Sequence, residues 1–218
     1  MRATMLLSHS NSDGVRQVLD ALQSTRKELV FYATLHTLAS VASQLEADGV
    51  TELHVLPLVL TDGAVLRDAK RILSQFSFHV EGLPALLALP DFSVIIRTCF
   101  SVQPNDSCLL LVHGTANAQA YDPLCRSLAG CCKSVFLASL HGEPDLDTVL
   151  STLQSQGFAG TLRCLPLFLT AGHHMKADVP AAVRRLQDAG YSVQWTPMGL
   201  CDDSTFRTEI TKQWNAML

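Results

Sequence analysis

The chain alternates between short apolar runs and longer segments in which apolar residues recur every three to four positions. The first pattern is typical of buried strands, and the second is typical of helices that turn one face toward a core. The predicted strands are residues 4–8, 30–35, 53–60, 94–100, 108–112, 134–140, 161–169 and 191–197. Strands and helices of these lengths in alternation predict an α/β fold with parallel sheets flanked by helices.

The order of these elements repeats, and so do some of the residues. The matched blocks are residues 6–9 with 110–113, 31–36 with 136–141, and 56–63 with 165–172. Three matched blocks in the same order indicate two similar lobes, each a small parallel sheet flanked by helices. The polar segment 101–107 places the boundary, so the predicted lobes are residues 1–103 and 104–218. An active cleft is expected between them, at the carboxyl ends of the strands.

The composition limits the kinds of partner that a protein with this fold could bind. Net charge is −4, and no run of basic residues is longer than a pair such as Arg184-Arg185, so no nucleic-acid partner is expected. No apolar run is long enough to cross a bilayer, and the first ten residues do not form a signal peptide. The seven cysteines contain no C-x-x-C pair, which favours reduced thiols and a cytoplasmic location over a disulfide framework.

Polar side chains follow three neighbouring strands of the second lobe. His113 follows the first strand, Glu143 lies just after the second, and His174 follows the third. Imidazole, carboxylate and imidazole at one edge of a sheet predict a site for a divalent transition metal. The start of a helix near His174 favours its neutral, metal-binding form. Val65 stands where the first lobe would need the second histidine, so the site is assigned to the second lobe.

The other histidines are interpreted more conservatively. One histidine at a strand end is more often a hydrogen-bonded structural group than a ligand, and we interpret His36, His54 and His79 in that way. His9 is treated similarly, although a position facing the cleft is left open. The role of His141 stays open between packing and the site. Asp178 is likewise open between orienting His174 and capping the helix that follows.

The motifs around these residues resemble the class II, ATP-independent tetrapyrrole chelatases, in particular the sirohydrochlorin cobaltochelatases of the CbiK and CbiX types. His113-Gly114-Thr115 is similar to the family's His-Gly-Ser/Thr, and residues 143–146 resemble its Glu-containing turn. Residues 165–180 resemble the signature Pro-Leu-x-Leu-x-x-Gly-x-His-x-x-x-Asp-Ile/Val-Pro. Gly190-Tyr191 and Gly199-Leu200 also fit the CbiK pattern, and together these motifs extend over most of residues 108–203.

The resemblance implies a metallochelatase that binds metal and macrocycle between its lobes. His113, Glu143 and His174 are then the metal ligands and catalytic residues, with His174 accepting a pyrrole proton. Co²⁺ is the expected substrate metal, inserted into sirohydrochlorin in cobalamin biosynthesis, and Fe²⁺ or Ni²⁺ are alternatives. No ATP is expected, which agrees with the absence of a G-x-x-x-x-G-K motif.

Other readings of the site remain at this point. A non-catalytic carrier of tetrapyrrole or metal would use the same ligands without turnover, and a metal-dependent hydrolase would need a further acid or base. The expected partner is a small-molecule tetrapyrrole, with no nucleic acid and no membrane, and a homo-oligomer is left open.

Overall fold

A computed structural model describes residues 1–82, 84–114 and 118–218. The strands are β1 (Arg2–Ser8), β2 (Leu29–Thr34), β3 (Glu52–Leu58), β4 (His79–Gly82), β5 (Ser107–Val112), β6 (Ser134–Ser139), β7 (Thr161–Pro166) and β8 (Ser192–Gln194). The helices are α1 (Asp13–Thr25), α2 (Leu38–Ala47), α3 (Ala64–Leu73), α4 (Phe92–Cys99), α5 (Asp122–Ala129), α6 (Leu146–Ser155), α7 (Val179–Asp188) and α8 (Ser204–Met217). In the described residues, no helix is long and apolar enough to span a membrane.

The chain divides into two compact units. Unit 1 consists of Met1–Phe92 and Ser204–Leu218, and unit 2 consists of Ser93–Asp203. Each unit contains a four-stranded parallel sheet, with order β2-β1-β3-β4 in unit 1 and β6-β5-β7-β8 in unit 2. The two orders correspond strand by strand, which confirms the α/β fold of two similar lobes.

The central strands of both sheets are buried on both faces, as parallel strands covered by helices should be. Every residue of β5 is buried, and six of the seven residues of β1 are buried as well. Helix α6 begins at an N-cap, because the Asp145 carboxylate accepts a hydrogen bond of 2.8 Å from the Thr148 amide. Leu146, Val149 and Leu153 then turn toward the core of unit 2 at the helical period.

The predicted fourth strand at residues 94–100 is wrong, because this segment is the helix α4. Phe92, Ile95 and Ile96 are buried at the spacing of a helical face, whereas Val94 is 51% exposed. Such a short apolar run does not distinguish a strand from a helix by itself. The fourth strand of unit 1 is instead β4, which pairs with β3 at the edge of the sheet.

The division between the units also differs from the predicted boundary after residue 103. Helix α4 belongs to unit 2 from its second residue, Ser93, onward, and the last helix, α8, belongs to unit 1. Phe206, Ile210 and Trp214 of α8 are fully buried, as expected for core residues. Helix α8 packs against α1, where the Asn215 side-chain amide donates to the Thr25 hydroxyl at 3.1 Å.

Candidate metal centre

Two histidines follow the adjacent strands β5 and β6 of unit 2. The backbone pairing continues past both strand ends, since the Leu140 amide donates to the Val112 carbonyl at 2.8 Å. The next rung joins the His141 amide to the His113 carbonyl at 3.0 Å. The parallel register therefore carries both imidazoles to the same edge of the sheet and keeps them side by side.

Gly114 allows this close approach. Its φ of +112° lies in a region that side chains with a Cβ rarely adopt. A Cβ built at this position would lie 1.8 Å from the carbonyl oxygen of His141. Any larger residue would therefore push His141 away from His113. The third residue of the His-Gly-Thr motif, Thr115, lies outside the described residues.

The third histidine follows β7 after a turn that is packed tightly against another loop. A Cβ at Gly199 would lie 2.6 Å from the carbonyl carbon of Thr170, so the two backbones touch. The Leu200 amide also donates to the Phe168 carbonyl at 2.8 Å, which fixes the chain just before the turn. His174 then begins a π-helical turn, His174–Asp178, that continues into α7. The helix thus starts earlier than the predicted position near Asp178.

The three histidines converge. One ring nitrogen from each of His113, His141 and His174 lies within 4.8 Å of the others. The ring centroids of His113 and His174 are 4.5 Å apart, and their planes are nearly perpendicular at 82°. Imidazole nitrogens bind zinc-like ions at about 2.0 to 2.1 Å, so small side-chain adjustments would bring all three onto one ion. His113 and His141 are exposed, which leaves the group open to an incoming ligand.

Asp178 orients His174. Its Oδ2 lies 2.6 Å from Nδ1 of His174, and its side chain makes no capping hydrogen bond to the helix. Of the two roles that the sequence leaves open, the structure shows the first. This hydrogen bond from His174 lowers the pKa of the Asp178 carboxyl, against the opposing effect of partial burial. The charges of His174, His173 and His141 lower it further. A proton on Nδ1, facing this carboxylate, would leave Nε2 of His174 available to bind a metal.

The structure separates the predicted site residues. His113 and His174 lie together as expected, whereas Glu143 does not belong to the group of converging ligand atoms. Glu143 is exposed, and its Oε2 accepts a hydrogen bond of 3.2 Å from the Asp145 amide. His141 is the third member of that group. The signal for His141 is its position after β6, because it follows its strand as His113 follows β5.

A cavity of about 280 Å³ borders the histidine group within unit 2. His141 and Asp178 line it, together with the charged side chains of Asp145 and Arg185. Arg185 is exposed and forms an ion pair with Asp147. A cationic side chain therefore lines the same cavity as His141, although the whole chain is acidic.

Comparisons with known proteins identify related sequences and folds. The family model described as Cobalt chelatase (CbiK) matches residues 90–217, which is more than half of the chain. Comparison with curated protein sequences gives no match.

Several solved structures share the fold over nearly the whole chain. SirB from Bacillus subtilis with Fe³⁺ is 15% identical, with a TM-score of 0.75 over 98% of this chain and 94% of that one. SirB from Bacillus subtilis subspecies spizizenii, in complex with cobalt, is 13% identical, with a TM-score of 0.73 over 99% and 92% of the two chains. CbiX, the terminal enzyme for siroheme biosynthesis in denitrifying bacteria, is 18% identical, with a TM-score of 0.68 over the full length of both chains. At these identities the likeness shows the fold alone.

Proposed function

Because this chain belongs to the cobalt chelatase (CbiK) family, we propose that it inserts a divalent metal ion into sirohydrochlorin without consuming ATP. The observation that carries the proposal is the convergence of His113, His141 and His174 at the carboxyl edge of the second sheet. Co²⁺ is the proposed metal and cobalamin biosynthesis the proposed pathway, in keeping with the family's description. Fe²⁺ and Ni²⁺ are the alternatives. One of the two SirB structures contains Fe³⁺ and the other contains cobalt.

Three neutral imidazoles suit a metal that must be handed over. Imidazole binds borderline ions such as Co²⁺, Fe²⁺ and Ni²⁺ without adding charge. Three protein ligands leave coordination positions open, and the nitrogens of the macrocycle can enter there before the histidines leave. His113 and His141 are exposed, so the ring can approach the ion from the solvent side.

Two pyrrole N–H protons must leave the ring as the ion enters. His174 is the best placed acceptor, because the Asp178 carboxylate accepts its Nδ1 hydrogen bond and stabilises the imidazolium that forms. The second proton passes to another histidine of the group or to Glu143, two residues beyond His141. Loss of two protons and gain of a 2+ ion leave the charge of the macrocycle unchanged.

The carboxylates of sirohydrochlorin need cationic partners on this acidic chain. Arg185 lines the cavity next to His141, and Lys176 is exposed in the turn that begins at His174. We assign both to the binding of substrate carboxylates. Replacement of Arg185 by Gln should then raise KM for sirohydrochlorin more than it lowers kcat.

The test is an anaerobic absorbance time course with sirohydrochlorin and, separately, Co²⁺, Fe²⁺ and Ni²⁺. The wild-type chain should convert the spectrum faster than the protein-free mixture, and His174→Ala should return the rate to that background. His173→Ala is the matched control, since His173 is the adjacent histidine and lies outside the converging group. A stoichiometric shift on mixing without turnover would favour a carrier. No shift and no conversion would refute the tetrapyrrole assignment.

A second experiment separates His141 from Glu143 as the third ligand. Co²⁺ affinity is measured by chelator competition without tetrapyrrole, for His141→Ala and Glu143→Gln. We expect His141→Ala to weaken binding at least about tenfold and Glu143→Gln to leave it close to wild type. An equal loss in Glu143→Gln would restore the carboxylate to the ligand set that the sequence predicts.

A further inference from the structure

A second group of metal-binding side chains lies in unit 1, away from the histidines of unit 2. Glu52 and His54 are two residues apart on β3, so they point to the same face of the sheet. Glu81 on the edge strand β4 is the register partner of His54. Nε2 of His54 lies 3.1 Å from Oε1 of Glu52 and 3.3 Å from Oε2 of Glu81. The three ligand atoms lie within 4.8 Å of one another.

The protein alone does not satisfy this arrangement. The side chain of His54 is 4% exposed, and its Nδ1 is buried without a hydrogen-bond partner. A neutral imidazole has one proton for two facing carboxylates. A metal ion at Nε2 would face both carboxylates at once, with the imidazole proton on Nδ1. The positions of the three ligand atoms therefore favour a cation between Nε2 and the carboxylates.

The neighbouring charges leave room for such a cation. Arg2 binds the other oxygen of Glu52, Oε2, at 3.0 Å. Among the described residues, His54 is the only ion-pair partner of Glu81. On the same face, Arg26 and Glu28 neutralise each other beside Thr4. Two carboxylates against one arginine thus leave net negative charge beside the buried imidazole.

We infer that Glu52, His54 and Glu81 form a second divalent-metal site, independent of the proposed chelatase centre. One imidazole nitrogen and two carboxylate oxygens suit Co²⁺, Zn²⁺, Ni²⁺ or Fe²⁺. Glu81 is 53% exposed, so water can complete the coordination and the ion can exchange. A bound ion would tie the four-residue edge strand β4 to β3 and stabilise unit 1.

The test uses the full chain with the unit 2 group removed by His113→Ala and His174→Ala. Equilibrium dialysis against Co²⁺, without tetrapyrrole, should find one ion bound to this double variant, and Co²⁺ should raise its Tm. Adding Glu81→Gln should weaken the remaining affinity at least about tenfold and abolish the rise in Tm. Adding Glu209→Gln is the matched control, since it removes one exposed carboxylate from α8 in the same unit and should change neither readout.

Two outcomes would overturn the inference. The double variant could bind no Co²⁺ at millimolar concentration, or the Glu81→Gln and Glu209→Gln proteins could bind it equally well. Glu52→Gln, on the neighbouring strand, serves as a second variant, and we expect the same loss of Co²⁺ affinity from it. Far-UV circular dichroism checks that each protein is folded. Because tetrapyrrole is absent throughout, failure of this inference leaves the chelatase proposal standing, and the reverse also holds.

Discussion

Replacement of Gly114 by Ala should separate the first two histidines of the proposed metal centre. The new Cβ would start 1.8 Å from the carbonyl oxygen of His141, and Cβ contacts under 3.0 Å are essentially never found. Relief of the clash therefore needs a shift of about 1.2 Å in the segment that carries His141. Two nitrogens on one ion can be no more than about 4.2 Å apart, which is twice a metal–nitrogen bond. The three ligand atoms already lie up to 4.8 Å apart, so a further shift of this size should place His141 out of reach of the ion.

The cost to stability comes from two sources. A non-glycine residue at a φ of +112° is strained by about 1 to 3 kcal/mol, and the displaced backbone adds to this. For a total of about 3 kcal/mol, Tm should fall by roughly 6 to 12 °C in a chain of this length. Co²⁺ affinity should fall at least about tenfold, because one of three ligands is lost.

Gly157→Ala is the control for this experiment. Gly157 also has a positive φ, of +60°, but a Cβ there would have no atom within 4 Å. The free energy of unfolding of Gly157→Ala should fall by about 1 to 2 kcal/mol from backbone strain alone, and its Co²⁺ affinity should not change. Differential scanning calorimetry and chelator competition supply the two readouts. If Gly114→Ala binds Co²⁺ as tightly as Gly157→Ala does, the proposed role of the close approach is refuted.

Three further changes test other parts of the structure. Asp178→Asn should weaken Co²⁺ binding about tenfold and slow turnover, because His174 loses its charged partner. Chelator competition measures the Co²⁺ affinity, and an unchanged value would contradict this role. Burial raises the pKa of the Cys108 and Cys164 thiols to about 12. Above pH 9 these thiols ionise in the unfolded chain before they ionise in the folded one, so the free energy of unfolding should fall by up to about 1.4 kcal/mol per pH unit for each thiol. Urea titrations at a series of pH values measure this slope, and a flat profile would count against the burial of the two thiols. Trp214→Ala should lower the free energy of unfolding by about 3 to 5 kcal/mol, and a loss under about 1 kcal/mol in the same assay would place Trp214 outside the core.

The pattern of apolar residues was sufficient to predict all the strands except the fourth strand of unit 1. The three matched blocks fall on β1 and β5, on β2 and β6, and on β3 and β7, and these strands occupy equivalent places in the two sheets. The fourth position is where prediction failed. The apolar run that begins at Val94 is too short to show its period, and β4 has four residues, of which three are exposed. An edge strand that contributes so little to the core leaves almost no hydrophobic signal.

The group of three histidines was predictable only in part, for a different reason. Parallel strands deliver whatever follows them to one edge, so His113 and His174 could be placed together from their positions. The choice between His141 and Glu143 depends on the backbone dihedrals of the intervening residues, which hydrophobic periodicity does not encode. Prediction of the group at Glu52 and His54 would have needed still more structural information. Its third member, Glu81, can be recognised only when β4 and its register with β3 are known.

The return of α8 to unit 1 has a consequence for how the chain folds as it leaves the ribosome. Unit 2 is continuous from Ser93 to Asp203, so all its strands and helices are available before α8 has been synthesised. Most of unit 1 emerges first but cannot complete its folding, because Phe206, Ile210 and Trp214 of α8 complete its core. Until they arrive, the apolar face of α1 is exposed to chaperones and to other nascent chains. The half of the protein that is made first is therefore the half that is completed last.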